Sequence, residues 1–322
     1  MIQTEKLELV QEWDKVFSRD ERVDHEKVTF ANRYGITLAA DLYKPKDAKG
    51  KLRAIAVSGP FGAVKEQSSG LYAQEMAVRG FLAIAFDPSF TGESGGQPRR
   101  VASPDINTED FCAAVDYLSC RDDVDAEGIG IIGICGMGGM AVNAAALDPR
   151  IKATAAMTMY DMSRVAREGY FGSADSKEAR DEQRKAWAAQ RTADYASGSY
   201  VRGGGVADPM PEDAPDFAKD YHAYYKTPRA YHERSAYSTD GWNATGTMSF
   251  LNQPLLAMAA EIDAPVLLVH GEKAHSRYFS EGAFELLRGD NKELVIVPGV
   301  NHVDLYDSFD AIPFDKLQAL FS

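Results

Sequence analysis

Ile129-Gly130-Ile131-Ile132-Gly133-Ile134-Cys135-Gly136-Met137-Gly138-Gly139-Met140-Ala141-Val142-Asn143-Ala144-Ala145-Ala146-Leu147 reads as a buried strand, a tight turn crowded with glycine, and a helix of small residues. The stretch up to Ile134 is apolar without alternation, the pattern of a strand covered on both faces. Small residues at and after the turn let the strand and helix backbones approach closely. A side chain at such a turn is raised above the sheet, and the backbone N–H groups that follow it aim at the same space. Cys135 holds that position, and the helix N-terminus behind it is expected to lower its pKa towards the thiolate. The spacing is irregular, because Met137 stands where a Gly-x-nucleophile-x-Gly pattern has its last glycine. An alternative register, ending on Gly138, puts Gly136 in the nucleophile's place and makes the chain catalytically silent.

Further apolar runs lie on both sides of this stretch: Ala54–Val57, Phe81–Phe86, Thr154–Met157, Val266–Val269 and Leu294–Val297. Helical spacing separates them, as in Gln67–Arg79, which stops at Gly80, and in a helix after Asn107 with Phe111, Val115 and Leu118 on one face. Asn107 is the expected cap of that helix. Strand-helix-strand alternation predicts an α/β fold with a mostly parallel, doubly wound sheet. Val28–Phe30 and Ile36–Leu42 alternate about the turn at Asn32–Gly35, which predicts an antiparallel N-terminal hairpin. The alternation stops over residues 162–262, too long for one crossover in a compact sheet. This stretch is expected to be an inserted cap that divides the core into residues 1–161 and 263–322. Within it, 176–195 and 216–225 carry helical signals around a Gly/Pro-rich loop. The rings of Tyr221, Tyr224, Tyr225, Tyr231, Tyr237, Trp242 and Phe250 either anchor the cap or, for a few of them, line a pocket.

A net charge of −13, from 48 acidic and 35 basic residues, argues against nucleic acid and anionic membrane as partners. Met1–Arg22 contains no apolar run long enough for a signal peptide or a membrane span, so cytoplasm is the expected location. Cys112 and Cys120 fall in one predicted helix, ~12 Å apart at ~1.5 Å per residue, beyond the ~7 Å reach of a disulfide. Both are expected to be small buried residues. No Gly-x-Gly-x-x-Gly or phosphate-loop pattern follows a strand, and no Cys/His cluster has zinc spacing. The expected chemistry needs no cofactor and no metal.

Several short passages occur in a telling order: Gly59-Pro60-Phe61-Gly62-Ala63-Val64-Lys65-Glu66-Gln67, Phe86-Asp87-Pro88-Ser89-Phe90-Thr91-Gly92-Glu93-Ser94-Gly95-Gly96, Gly133–Gly139, His270-Gly271-Glu272-Lys273-Ala274-His275-Ser276 and Pro298-Gly299-Val300-Asn301-His302-Val303-Asp304. With them the chain resembles, over nearly its whole length, the cysteine-nucleophile branch of the α/β-hydrolase superfamily, near the dienelactone hydrolase-like and polyketide-transferase-like hydrolases. The resemblance implies an α/β-hydrolase fold and hydrolysis or transfer at an ester, thioester or lactone carbonyl. Cys135 would form the acyl-enzyme, and His302, in a short loop after the last core strand, would be the general base. Pro60 lacks an N–H, so the N–H groups of Phe61 and Gly136 are the expected oxyanion hole.

The acid that would orient His302 is open, because Ala274 stands where related hydrolases commonly carry aspartate. Glu272 is the first candidate and Asp161, beyond the Thr154–Met157 strand, the second. Asp87, Gly92 and Ser94 are expected to hold a turn, and Lys65-Glu66 to cap the helix that begins there. The expected partner is a small-molecule acyl substrate. An acyltransferase, a catalytically inactive ligand-binding homologue and assembly as a homodimer are left open.

Overall fold

Eight strands hydrogen-bond in one sheet: β1 (Val23–Ala31), β2 (Thr37–Pro45), β3 (Leu52–Ser58), β4 (Leu82–Phe86), β5 (Val124–Ile134), β6 (Ala153–Met157), β7 (Val266–Gly271) and β8 (Lys292–Val297). Their order is β1-β2-β4-β3-β5-β6-β7-β8 in this computed structural model, which describes residues 5–322. Strands β3 to β8 run parallel, while β2 pairs antiparallel with both β1 and β4. This is the mixed α/β architecture of the α/β hydrolases, with the expected hairpin at one edge.

Helices α1 (Ser68–Val78), α2 (Pro104–Ser119) and α3 (Gly136–Leu147) connect the central strands. The apolar runs are doubly buried because helices cover both faces of a parallel sheet; Ile129, Ile131, Ile132 and Ile134 of β5 have no exposed surface. Ser103, not Asn107, caps α2: its hydroxyl accepts the Ile106 N–H at 3.3 Å, and Pro104 fills the first turn. Asn107 instead reaches back to accept the Ser103 N–H at 2.9 Å. Cys112 is buried, but Cys120, just past the end of α2, is exposed rather than buried.

Between β6 and β7, which are hydrogen-bonded neighbours, the chain makes its longest excursion. It contains α4 (Met162–Glu168), α5 (Lys177–Ser197), α6 (Asp216–Tyr225), short 3-10 turns and a two-stranded ribbon pairing Arg202–Gly203 with Trp242–Asn243. Tyr224, Tyr225, Trp242 and Phe250 are buried and anchor it, whereas Tyr231 is half exposed. After β7 come α7 (Arg277–Leu286), then, beyond β8, α8 (Asp304–Asp307) and α9 (Phe314–Phe321). Because β3, β5, β6, β7 and β8 are parallel, the residues following each of them gather at one edge of the sheet, where open α/β sheets place their ligands.

Among the described residues no helix is long and apolar enough to cross a membrane. The first four residues of the Met1–Arg22 segment lie outside the described residues.

Candidate active site

Cys135 sits between the end of β5 and the start of α3 with φ 55° and ψ −125°, a conformation L-residues rarely adopt. Backbone bonds fix the turn: the Cys135 N–H donates to Met157 O, and Cys135 O accepts from the Gly138 and Tyr160 N–H groups, all at 2.9 Å. Gly133 is required here, because a Cβ on it would lie 2.3 Å from Met137 O and 2.6 Å from the Ala141 Cβ. The structure therefore puts Cys135, and not Gly136, at the turn. Met137 is accommodated by a glycine from elsewhere in the chain. Gly59, at the end of β3 with φ 101°, leaves the room; a Cβ there would come within 3.0 Å of the Met137 Cβ.

Burial pushes the Cys135 thiol up to about 11, while the Tyr306 hydroxyl and the backbone N–H groups of Phe61 and Gly136, directed at its sulfur, pull the other way. The expected thiolate is thus not the resting form. The helix N-terminus is present, but loss of hydration outweighs it. Phe61 is buried with its ring 4.4 Å from that of Trp242, which sets the loop after β3 against the β6–β7 excursion.

His302 is fully buried after β8, and its Nε2 is 3.0 Å from the Tyr306 hydroxyl, one helical turn further along the chain. The same hydroxyl neighbours the Cys135 sulfur, so Tyr306 links thiol and imidazole. On the other side, His302 Nδ1 lies 2.8 Å from Thr158 Oγ1 and 2.6 Å from Ser276 Oγ. Ser276 Oγ is in turn 2.9 Å from His270 Nε2, and His270 Nδ1 is 2.7 Å from Ser280 Oγ. Burial, and after it the proximity of His270 and His275, holds His302 well below the usual histidine value. His270 is lowered to about 3, first by burial. The imidazoles are neutral in neutral solution, with hydroxyl groups as their partners.

Neither acid candidate is among the hydrogen-bond partners of His302. Glu272 is exposed and accepts the Gly299 N–H at 2.8 Å, bracing the turn that leads to His302. Asp161 caps α4, accepting the Ser163 and Arg164 N–H groups at 3.0 Å each. Both carboxylates are committed to backbone donors, and Ser276 and Thr158 occupy the imidazole nitrogen an acid would need. No pattern in the sequence marks these two hydroxyls as partners of His302. The one available signal was Tyr306 at helical spacing from His302.

Asp87 holds a turn as expected, accepting the Lys65 N–H at 2.7 Å and the Glu93 N–H at 2.8 Å. Lys65 and Glu66, however, do not serve as simple helix caps. Lys65 Nζ is buried against Glu66 at 2.6 Å, Asp87 at 2.9 Å and Glu93 at 2.5 Å. Lys27 joins Glu66 and Glu93, Lys15 and His25 join Asp41, and Arg234 reaches Glu66 at 3.0 Å from the β6–β7 excursion. Compensation by several partners is what makes such burial tolerable.

A cavity of about 340 Å³ opens on Cys135, between Phe61 and residues of the β6–β7 excursion that include Tyr170, Phe217, Tyr221 and Tyr237. Among the described residues no group of His, Cys, Asp and Glu side chains is arranged to hold a metal ion.

The sequence profile of the X-Pro dipeptidyl-peptidase (S15) family matches residues 34–304. The chain belongs to that family. It is a family of α/β-hydrolase type, and the chain is a hydrolase of that broad class. It is 56% identical over 318 residues to the uncharacterized protein PA2218 of Pseudomonas aeruginosa, covering 98% of this chain and 85% of that one. The crystal structure of that relative superposes with a TM-score of 0.96 over 99% of both chains. A thiohydrolase of Aspergillus aculeatus, aneE, is 32% identical over 133 residues, 41% of each protein. The α/β hydrolase GrgF of Penicillium shares the fold at a TM-score of 0.77 and 19% identity, over 92% of this chain and 98% of its own.

Proposed function

We propose that the protein is a cofactor-free acyl hydrolase in which Cys135 attacks an ester or thioester carbonyl and His302 is the base. The observation that carries this reading is the Cys135 backbone at φ 55° and ψ −125°, fixed between β5 and α3 by its bonds to Met157, Gly138 and Tyr160. Such a turn is strained, and strain of this kind persists where the surroundings fix it.

The resting thiol is neutral, so its proton must leave as the sulfur attacks. It passes to the Tyr306 oxygen while the Tyr306 proton moves to His302 Nε2, the sulfur–carbon bond forms, and the carbonyl electron pair shifts to oxygen. The N–H groups of Phe61 and Gly136 take that oxyanion. His302 Nδ1–H donates to Ser276 or Thr158 in this tautomer. On collapse the leaving group departs with the proton from Nε2, returned through Tyr306. Water then surrenders a proton along the same path and attacks the acyl carbon, the carboxylic acid is released, and the Cys135 sulfur regains its proton.

Hydroxyl groups stabilise an imidazolium less than a carboxylate does, which suits leaving groups that need little protonation. Thioesters and activated esters fit that requirement better than amides, and the likeness to a thiohydrolase points the same way. A second reading, a ligand-binding protein on this fold, is favoured by the same lack of a carboxylate at His302 Nδ1. Intact-protein mass measurement during thioester turnover separates the two. The parent should gain one acyl mass on Cys135, and Cys135→Ala should lose at least ~10³-fold in rate with no adduct. An unacylated parent, or a Cys135→Ala variant as active as the parent, would sink the enzyme reading. Products formed with added alcohols or amines tell hydrolysis from acyl transfer.

A further inference from the structure

The cavity on Cys135 has an uncharged wall: none of its described lining residues is Asp, Glu, Lys or Arg. A charged group bound there would lose its hydration without a counter-charge, a penalty that grows in an apolar site. This bears on dipeptidyl-peptidase substrates, because a dipeptide with a free N-terminus brings an ammonium group close to the scissile bond. The wall offers that ammonium no carboxylate. Met162, Val206, Met210 and Phe217 instead offer apolar surface.

Four tyrosines line this surface, Tyr160, Tyr170, Tyr221 and Tyr237, and the hydroxyls of Tyr160 and Tyr221 lie 3.0 Å apart. Tyr160 is also 2.5 Å from His275 Nε2, and the His275 ring is stacked on Phe217 at 4.2 Å and 19°. The three groups form a chain, His275–Tyr160–Tyr221, that ends on the Tyr221 hydroxyl. Burial lowers His275 to about 4, so its ring is neutral and can either accept from Tyr160 or donate to it. If it accepts, Tyr160 donates to His275, Tyr221 donates to Tyr160, and the Tyr221 oxygen is free to accept. If His275 donates and Tyr160 in turn donates to Tyr221 rather than to its other neighbour Tyr170, the Tyr221 O–H is free to donate. One end group can therefore serve a hydroxyl or a carbonyl, but it neutralises no charge.

We propose that the acyl group carried by Cys135 is neutral and apolar and bears a hydroxyl or carbonyl oxygen away from the scissile carbonyl, read by Tyr221 at the end of the His275–Tyr160–Tyr221 chain. This rests on the acyl-enzyme reading of Cys135. Tyr221 determines specificity here and takes no part in the bond chemistry.

The test uses N-acetylcysteamine thioesters of matched length: hexanoyl, its keto and hydroxy analogues, and adipyl with its terminal carboxylate. A preference of about 10-fold in kcat/KM for a keto or hydroxy analogue over hexanoyl is expected, since a buried hydrogen-bonding site discriminates against the analogue that leaves it unpaired. Which analogue leads identifies the oxygen. Adipyl should be the poorest of the four. In Tyr221→Phe the ratio of oxygenated to plain substrate should fall towards one, which a merely structural role would not produce. Hexanoyl equal to or better than both analogues, adipyl in the lead, or a ratio unmoved in Tyr221→Phe would each overturn the proposal. Absence of turnover of all four thioesters, with no acyl adduct on Cys135, would overturn the enzyme reading beneath it instead.

Discussion

The loop after β3 contributes to two buried polar clusters built on opposite principles. At Phe61 it faces a site of one thiol, neutral imidazoles and hydroxyls, with Cys135, Tyr306, His302, Thr158 and Ser276 in sequence. A few residues on, it enters a cluster of ion pairs, Lys65 with Asp87 and Glu93, Glu66 with Lys27 and Arg234, and Asp41 with Lys15. Charges hold the loop, the hairpin β1–β2 and the β6–β7 excursion in place, whereas Cys135 and His302, the proposed nucleophile and base, sit among neutral groups.

The largest way to break this contrast is Lys65→Met, which leaves Glu66, Asp87 and Glu93 short of a buried cation. Loss of one partner of a buried ion cluster costs ~3–5 kcal/mol, and denaturant unfolding should show it. The matching change on the neutral side is Tyr306→Phe. It removes the hydroxyl between Cys135 and His302 and should lower kcat by ~10²–10⁴-fold, the range for a missing general acid–base group, with little change in the unfolding midpoint. Equal kcat in the variant would mean that the imidazole reaches the thiol directly.

Acid separates the clusters further. His302 and His270 titrate lower in the folded than in the unfolded chain, so below the unfolded value of ~6.5 the unfolded chain binds more protons and stability falls with falling pH. Each of these two buried rings contributes a slope of up to ~1.4 kcal/mol per pH unit in that window. Glu66 and Asp41 are lowered, with burial opposing and neighbouring cations and hydrogen bonds prevailing. Their contribution persists until pH drops below the unfolded carboxylate range, ~4. Unfolding measured at pH 7 and pH 5 should therefore show a loss that His270→Gln reduces. The smallest effects concern the two acids first considered for the site. Asp161→Ala should cost ~1 kcal/mol through the lost cap of α4, and Glu272→Gln should stay within ~0.5 kcal/mol with kcat altered less than about threefold.

Sequence made the sheet legible because its central strands are doubly buried, so that Ile129–Ile134 and Val266–Val269 could be little else. It made the positions of Phe61, Cys135, Gly136 and His302 legible for a related reason: each follows a strand of that sheet. Their hydroxyl partners were not legible. Thr158, Ser276 and Tyr306 come from three separate strand ends, and nothing in a serine or threonine codon marks it as the neighbour of a histidine far along the chain. The acids misled because Glu272 and Asp161 do lie at strand ends, but their oxygens are taken by nearby backbone N–H groups. The ion cluster stayed hidden because Lys and Glu are ordinarily surface residues, and only the fold shows that Lys65 has no exposed surface.

The excursion between β6 and β7 leaves and rejoins the sheet at two strands that are bonded to each other. Its insertion thus leaves no gap in the sheet, and most of the cavity wall, from Met162 to Tyr237, is written in one uninterrupted stretch, while Cys135 and His302 stand outside it. Most of the wall is thus encoded apart from Cys135 and His302, while His275, in the proposed acyl-reading chain, follows β7. Exchange of that one stretch between relatives should shift substrate preference, and the wall could be retuned many times without touching Cys135 or His302.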